Sequence, residues 1–142
     1  MAAFVKYEQF AVDLAGGVHV LTTAGSLIKI CLTNTAPTVA TDAVLTDVTQ
    51  ISYANITETV PADVANVGSE TPAGTWDVAG SDITLNATGA VATFRYVVLY
   101  NDTPTSPADP LIGYWDYGVG GVTLASGESF TVNFGASIFT IA

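Results

Sequence analysis

Val91-Ala92-Thr93-Phe94-Arg95-Tyr96-Val97-Val98-Leu99-Tyr100 runs into the proline-rich stretch Asn101–Pro110, and Leu111-Ile112-Gly113-Tyr114-Trp115-Asp116-Tyr117 follows. Both runs are dense in β-branched and aromatic residues, and the residues between them are those that end strands. They read as two strands joined by a rigid loop. Period two within the first run puts Phe94, Tyr96, Val98 and Tyr100 on one face and Arg95, Val97 and Leu99 on the other.

The same texture extends in both directions. Gly74–Ala79 and Ile83–Ala87 precede the pair, while Val122–Leu124, Phe130–Phe134 and Ile138–Ile141 follow it. Gly80-Ser81-Asp82, Thr88-Gly89, Gly118–Gly121 and Ala125–Gly127 separate them. Short strands with glycine turns every roughly 8–12 residues predict a mainly β fold, an antiparallel β-sandwich or jelly-roll-like domain.

Upstream, Phe4, Tyr7, Phe10, Ala11 and Leu14 recur at helical spacing and Gly16-Gly17 follows as a stop, so residues 1–17 read as a short N-terminal helix or arm. Val18–Thr22 and Leu27–Thr33 read as strands around Ala24-Gly25-Ser26, the second ended by Asn34-Thr35-Ala36-Pro37. In Asp42–Ile51, Val44, Leu45, Val48 and Ile51 fit a short helix capped by Thr41, although the β-branched content also suits a strand. Tyr53–Thr71 is polar, small and interrupted by Pro61, and predicts a long excursion with at most one strand outside the core. No repeat or linker divides residues 1–142, which predicts one domain.

Composition bears on function mainly by exclusion. Three cations, Lys6, Lys29 and Arg95, stand against 13 carboxylates for a net charge of −10, and there is one His and one Cys among 142 residues. General acid–base and nucleophilic catalysis need a partnered base or activated nucleophile, and polyanion binding rests on Lys and Arg. The expectation is therefore no enzyme, no catalytic residue, no cofactor, no metal and no nucleic-acid partner. No apolar run is long enough to span a bilayer, and Met1-Ala2-Ala3-Phe4-Val5-Lys6 lacks the pattern of a signal peptide, which predicts synthesis in the cytoplasm without a membrane partner.

Individual residues carry competing readings. Arg95, the only arginine, suits a structural pairing with Asp116 or Glu128, or stacking on an aromatic ring, better than an anion site, since no second arginine accompanies it. Gly113-Tyr114-Trp115-Asp116-Tyr117-Gly118 has the residues of a sugar-binding platform. Alternation splits its rings between two faces, so at least one ring belongs to the core. Asn101, Asp102 and Asp109 have oxygen ligands for calcium but no recognised loop spacing, and a rigid solvated loop is the simpler reading. His19, flanked by Val18 and Val20, reads as a satisfied strand histidine, and Cys31 as a small hydrophobe inside a strand.

Four stretches, 32–37, 94–103, 110–118 and 127–134, together with the helix-like Phe4–Leu14, resemble small virion structural proteins of tailed bacteriophages. The resemblance implies a capsid decoration, or cement, protein: made in the host cytoplasm, bound to the major capsid protein on the virion surface, and self-associating as a homo-oligomer such as a trimer. It assigns no contact residues. The low charge and high apolar content (49% hydrophobic) suit a surface that assembly covers, and the negative charge suits one that avoids packaged DNA. A tail or head–tail connector subunit and a carbohydrate- or receptor-binding module remain the alternatives, and Met1–Phe10 is the expected docking arm.

Overall fold

In the computed structural model, which describes residues 2–23 and 25–142, the apolar runs 91–100 and 111–117 supply adjacent strands in the middle of the largest sheet. Met1 of the expected arm and Ala24 of the expected turn lie outside the described residues. The strands are β1 Phe4–Lys6, β2 Ile28–Thr33, β3 Ala62–Asp63, β4 Val67–Thr71, β5 Thr75–Ala79, β6 Ile83–Asn86, β7 Tyr96–Asn101, β8 Leu111–Asp116, β9 Ser129–Val132 and β10 Phe139–Ile141. One α-helix, α1, spans Glu8–Ala15, and a 3-10 turn spans Leu45–Asp47. Strand accounts for 38% of the chain against 8% helix, and the pairing is antiparallel throughout, so the mainly β expectation holds.

A five-stranded sheet in the order β1-β8-β7-β2-β3 forms one layer. Two smaller sheets, β10-β5-β4 and β6-β9, pack across from it in a sandwich-like arrangement that does not close into a barrel. Between the layers, Val97 and Leu99 meet Ile28, Ile30, Leu32, Ile112 and Trp115 from the large sheet and Val78, Leu85, Val132 and Phe139 from the smaller ones. The opposite face of the large sheet is buried too. Tyr96, Val98 and Tyr100 pack there with Tyr7, Cys31 and Leu111 under Leu45 and Val48 of the 3-10 segment. All six residues of β7 are buried, and each large aliphatic side chain there contributes on the order of 1.5–3 kcal/mol. A strand covered on both faces reads as a continuous apolar run rather than an alternation, which explains Tyr96-Val97-Val98-Leu99-Tyr100.

Several local expectations are corrected. Phe4–Lys6 is a strand paired with Trp115, Tyr114 and Gly113 of β8, and the helix begins only at Glu8. The helical spacing of Phe4 and Phe10 arose because a strand and a helix each turn an aromatic ring into the same core. The glycine stop is real: Gly16 N–H donates to Val12 O at 2.9 Å, and Gly17 takes a φ of +76°, where a side chain would be strained. The segment is not a detachable arm, since Tyr7 is fully buried, Phe10 is nearly so, and Phe4 packs against Trp115 and Phe139.

Val18–Thr22 forms no strand. Its amides are satisfied locally, Val18 N–H by Asp13 O at 2.8 Å and Val20 N–H by Ser26 Oγ at 2.9 Å. The expected helix over Asp42–Ile51 shrinks to the 3-10 turn, because the Asp47 carboxylate accepts from the amides of Ala43 and Val44 and locks a tight turn. Tyr53–Thr71 is no peripheral excursion; it supplies β3, β4 and the fully buried Val64. Val122–Leu124 contributes only a bridge from Val122 to Phe94, and β7 starts at Tyr96 rather than Val91. Phe94 therefore escapes the strand's alternation and points into the main core beside Phe130, not onto the face of Tyr96.

Candidate functional site

Arg95 and Asp116 form the expected structural pair. The guanidinium Nε and Nη2 donate to the two carboxylate oxygens at 2.6 and 2.7 Å, and the guanidinium carbon lies 5.0 Å from the Tyr96 ring centre. The pairing follows from sheet register, which sets Tyr96 opposite Asp116 and so brings Arg95 to the same edge. Arg95's hydrogen bonds, helped by the Gly118 amide at 2.8 Å, hold the Asp116 carboxyl down to about 2. Both charges are consumed within the chain.

The aromatic platform does not form. Trp115 is 2% exposed and packs inside the core against the tilted rings of Phe4 and Phe134. Tyr114 lies on the other face with Tyr7 and Tyr96, and Tyr117 packs its edge on Phe130. Gly113 is where the backbone needs room: a Cβ there would sit 2.2 Å from the Phe4 ring and 2.7 Å from Val5 O. The glycine of the supposed sugar motif thus admits the N-terminal strand.

The three oxygen-bearing residues of the 101–109 loop have separate employments. Asn101 is fully buried, with Nδ2 donating to Ser26 Oγ at 2.8 Å and Oδ1 accepting from Thr103 N at 3.1 Å. Asp102 pairs with Lys29 at 2.7 Å. Asp109 adopts a φ of +50° and its carboxyl is pushed upward by burial and by Asp102. Among the described residues no cluster of three His, Cys, Asp or Glu side chains is placed to hold a metal ion.

Cys31 is buried and free, and burial pushes its thiol up to about 12. His19 departs from the expected satisfied strand histidine: it is buried in a loop, with Nδ1 3.1 Å from Asn101 Nδ2 and its ring against Phe10, but Nε2 has no hydrogen-bond partner among the described residues.

What the sequence did not reveal is a groove of about 300 Å³ at the meeting of the two layers. Phe4 and Lys6 of β1 form one side, Phe10, Ala11 and Leu14 of α1 another, and β10 with the following Ala142 the third. β1 pairs only with β8 and β10 only with β5, so each strand's outer edge carries backbone groups without a strand partner among the described residues. The Phe4 and Phe139 rings stack in parallel, 5.5 Å apart, where the two layers meet. Lys6, exposed on β1, is the one cation without an ion pair among the described residues. Only contact between the two ends of the chain makes this feature, and no local pattern encodes it. Comparison with protein families, curated proteins and solved structures returned no match.

Proposed function

We propose that this chain is a structural subunit that works by surface contact, with the groove between β1, α1 and β10 as its principal contact. The observation that carries the reading is the convergence of two open strand edges on an apolar cleft. Unpaired edges recruit another extended chain through its backbone, and apolar walls accept its alternate side chains. The remaining chemistry is internal: Arg95, Lys29 and Asn101 are engaged in holding the fold.

The sequence resemblance supports a specific form of this role, a tailed-bacteriophage capsid decoration protein made in the host cytoplasm and carried on the virion. An extended segment of the major capsid protein fills the cleft, and further apolar contacts between copies build a homo-oligomer such as a trimer at a lattice axis. With so few free cations, binding rests on buried apolar area and backbone pairing multiplied over the lattice, and it persists in raised salt.

The test is decoration of empty, expanded capsids, imaged and quantified by occupancy. Ala11→Glu places a charge on the wall of the groove at an exposed helix position and is expected to abolish decoration without changing thermal stability. Full occupancy by that variant refutes the groove as the contact. Association of the wild type with tails or connectors alone refutes the capsid role, and binding to immobilised glycans without any capsid binding favours a receptor module instead.

A further inference from the structure

His19 is the only histidine, and it is 5% exposed in a pocket of polar groups that the fold does not fully satisfy. Asn101, at the end of β7, supports it from one side. The orientation of that amide is fixed by its other bonds: the Thr103 N–H donates to Oδ1 at 3.1 Å, so Nδ2 is the atom directed at Ser26 Oγ (2.8 Å) and at His19 Nδ1 (3.1 Å). Facing a donor, Nδ1 must be the acceptor, and the ring is neutral with its proton on Nε2. Ser26 Oγ in turn accepts from the Val20 amide, so the imidazole belongs to a network that joins Val20 and Ser26 to β7.

From the other side comes α1. Asp13 is 6% exposed, and its Oδ1 accepts from Gln9 Nε2 at 2.8 Å. Its Oδ2 and His19 Nε2 are both buried without a hydrogen-bond partner among the described residues. Asp13 is the charged group that acts on the imidazole; the other elements packed on it present the Asn101 amide, the Ser26 hydroxyl and the Phe10 ring, none charged. Asp102 and Lys29, next along the fold, neutralise each other.

We propose that His19, held between the Asn101 amide and the Phe10 ring, is an acid-released latch that ties α1 and the loop after it to the end of β7. A proton added at Nδ1 turns the acceptor into a donor facing the donor Asn101 Nδ2, which removes that bond and leaves two N–H groups in opposition. Asp13 favours the added charge, but burial opposes it more strongly, so His19 lies below its ordinary value. The sign follows: the unfolded chain takes up the proton near pH 6.5 and the folded chain only at lower pH. The latch is therefore fully effective above about pH 6.5, and its contribution falls by up to tenfold in the folding constant per pH unit until the folded protein is itself protonated. Phe10 touches the imidazole and also lines the groove, so release reaches the surface through α1.

Because one histidine is present, imidazole ¹⁵N and ¹³C signals of the uniformly labelled full chain report His19 without assignment ambiguity. The expected result is the Nε2–H tautomer at pH 7.5 and less than half imidazolium at pH 6.5, with the Val20 and Thr103 amides losing exchange protection on further acidification before those of β7 and β8. Asp13→Asn removes the charge that favours protonation and is expected to move the transition to lower pH. His19→Gln retains an acceptor and a donor without titrating, and its stability is expected to decline less than that of the wild type between pH 7 and 5. An Nδ1–H tautomer, titration at the ordinary value of about 6.5, or equal acid sensitivity of wild type and His19→Gln overturns the latch. The tautomer and titration are read on the wild type and do not depend on any variant folding.

Discussion

Removing the hydroxyl of the buried Tyr7 and that of the half-buried Tyr53 is expected to change stability in opposite directions. Tyr7 is fully buried between the large sheet and the 3-10 segment, its ring 5.6 Å from that of Tyr114, and its hydroxyl has no hydrogen-bond partner among the described residues. Burial, reinforced by Asp42, pushes that hydroxyl far above its ordinary value, so it remains a neutral, unsatisfied dipole at all working pH. A buried polar group without a partner costs about 1–3 kcal/mol. Tyr7→Phe keeps the packing and removes the cost, for an expected gain of about 1–2 kcal/mol. Tyr53 differs in that its hydroxyl donates to Gln50 Oε1 and accepts from the Leu32 amide at 3.2 Å. Tyr53→Phe leaves the amide of a fully buried Leu32 unpaired and is expected to cost about 1–2 kcal/mol. For 142 residues the unfolding entropy makes each kcal/mol worth about 3 °C, so the two midpoints should differ by roughly 6–12 °C in calorimetry. A Tyr7→Phe variant less stable than the wild type refutes the reasoning, since the hydroxyl would then be making a favourable bond.

Gly113→Ala forces a Cβ into the Phe4 ring and the Val5 carbonyl, and is expected to cost at least about 1–3 kcal/mol and expose the β1 amides to hydrogen exchange; an unchanged midpoint would mean that β1 does not lie on β8. Cys31, buried with its thiol pushed up to about 12, should react with a thiol reagent at pH 8 only at the rate of unfolding, whereas rapid labelling of native protein would contradict its burial. Asp116, held down to about 2, contributes stability that is complete above the unfolded value near 3.9 and disappears as pH falls through about 2. Asp116→Asn should accordingly be less stable than the wild type at pH 6, with the gap closing toward pH 2 in denaturant titrations; a gap independent of pH would sink the ion-pair account.

Strand identity in the second half was legible in the residues because β propensity and glycine turns are local properties. β5, β6, β8, β9 and β10 fall where the apolar runs between turns put them, to within a residue or two. The Arg95–Asp116 pair was also foreseeable, since a lone arginine within a mostly apolar strand region needs a carboxylate nearby. Local pattern failed wherever a partner distant in sequence decided the outcome. Phe4 reads as helix by spacing and becomes strand because β8 offers it an edge, with Gly113 clearing the space for its ring. Val18–Thr22 has strand composition but pairs with no strand, so Asp13 and Ser26 satisfy the Val18 and Val20 amides instead. The groove and the His19 cluster belong to the same class. The groove needs residues 4–14 and 139–142 side by side, and the cluster needs His19 and Ser26 both within hydrogen-bond reach of the Asn101 amide. Side-chain chemistry is written residue by residue, but which groups share a desolvated space is set only when the two layers close.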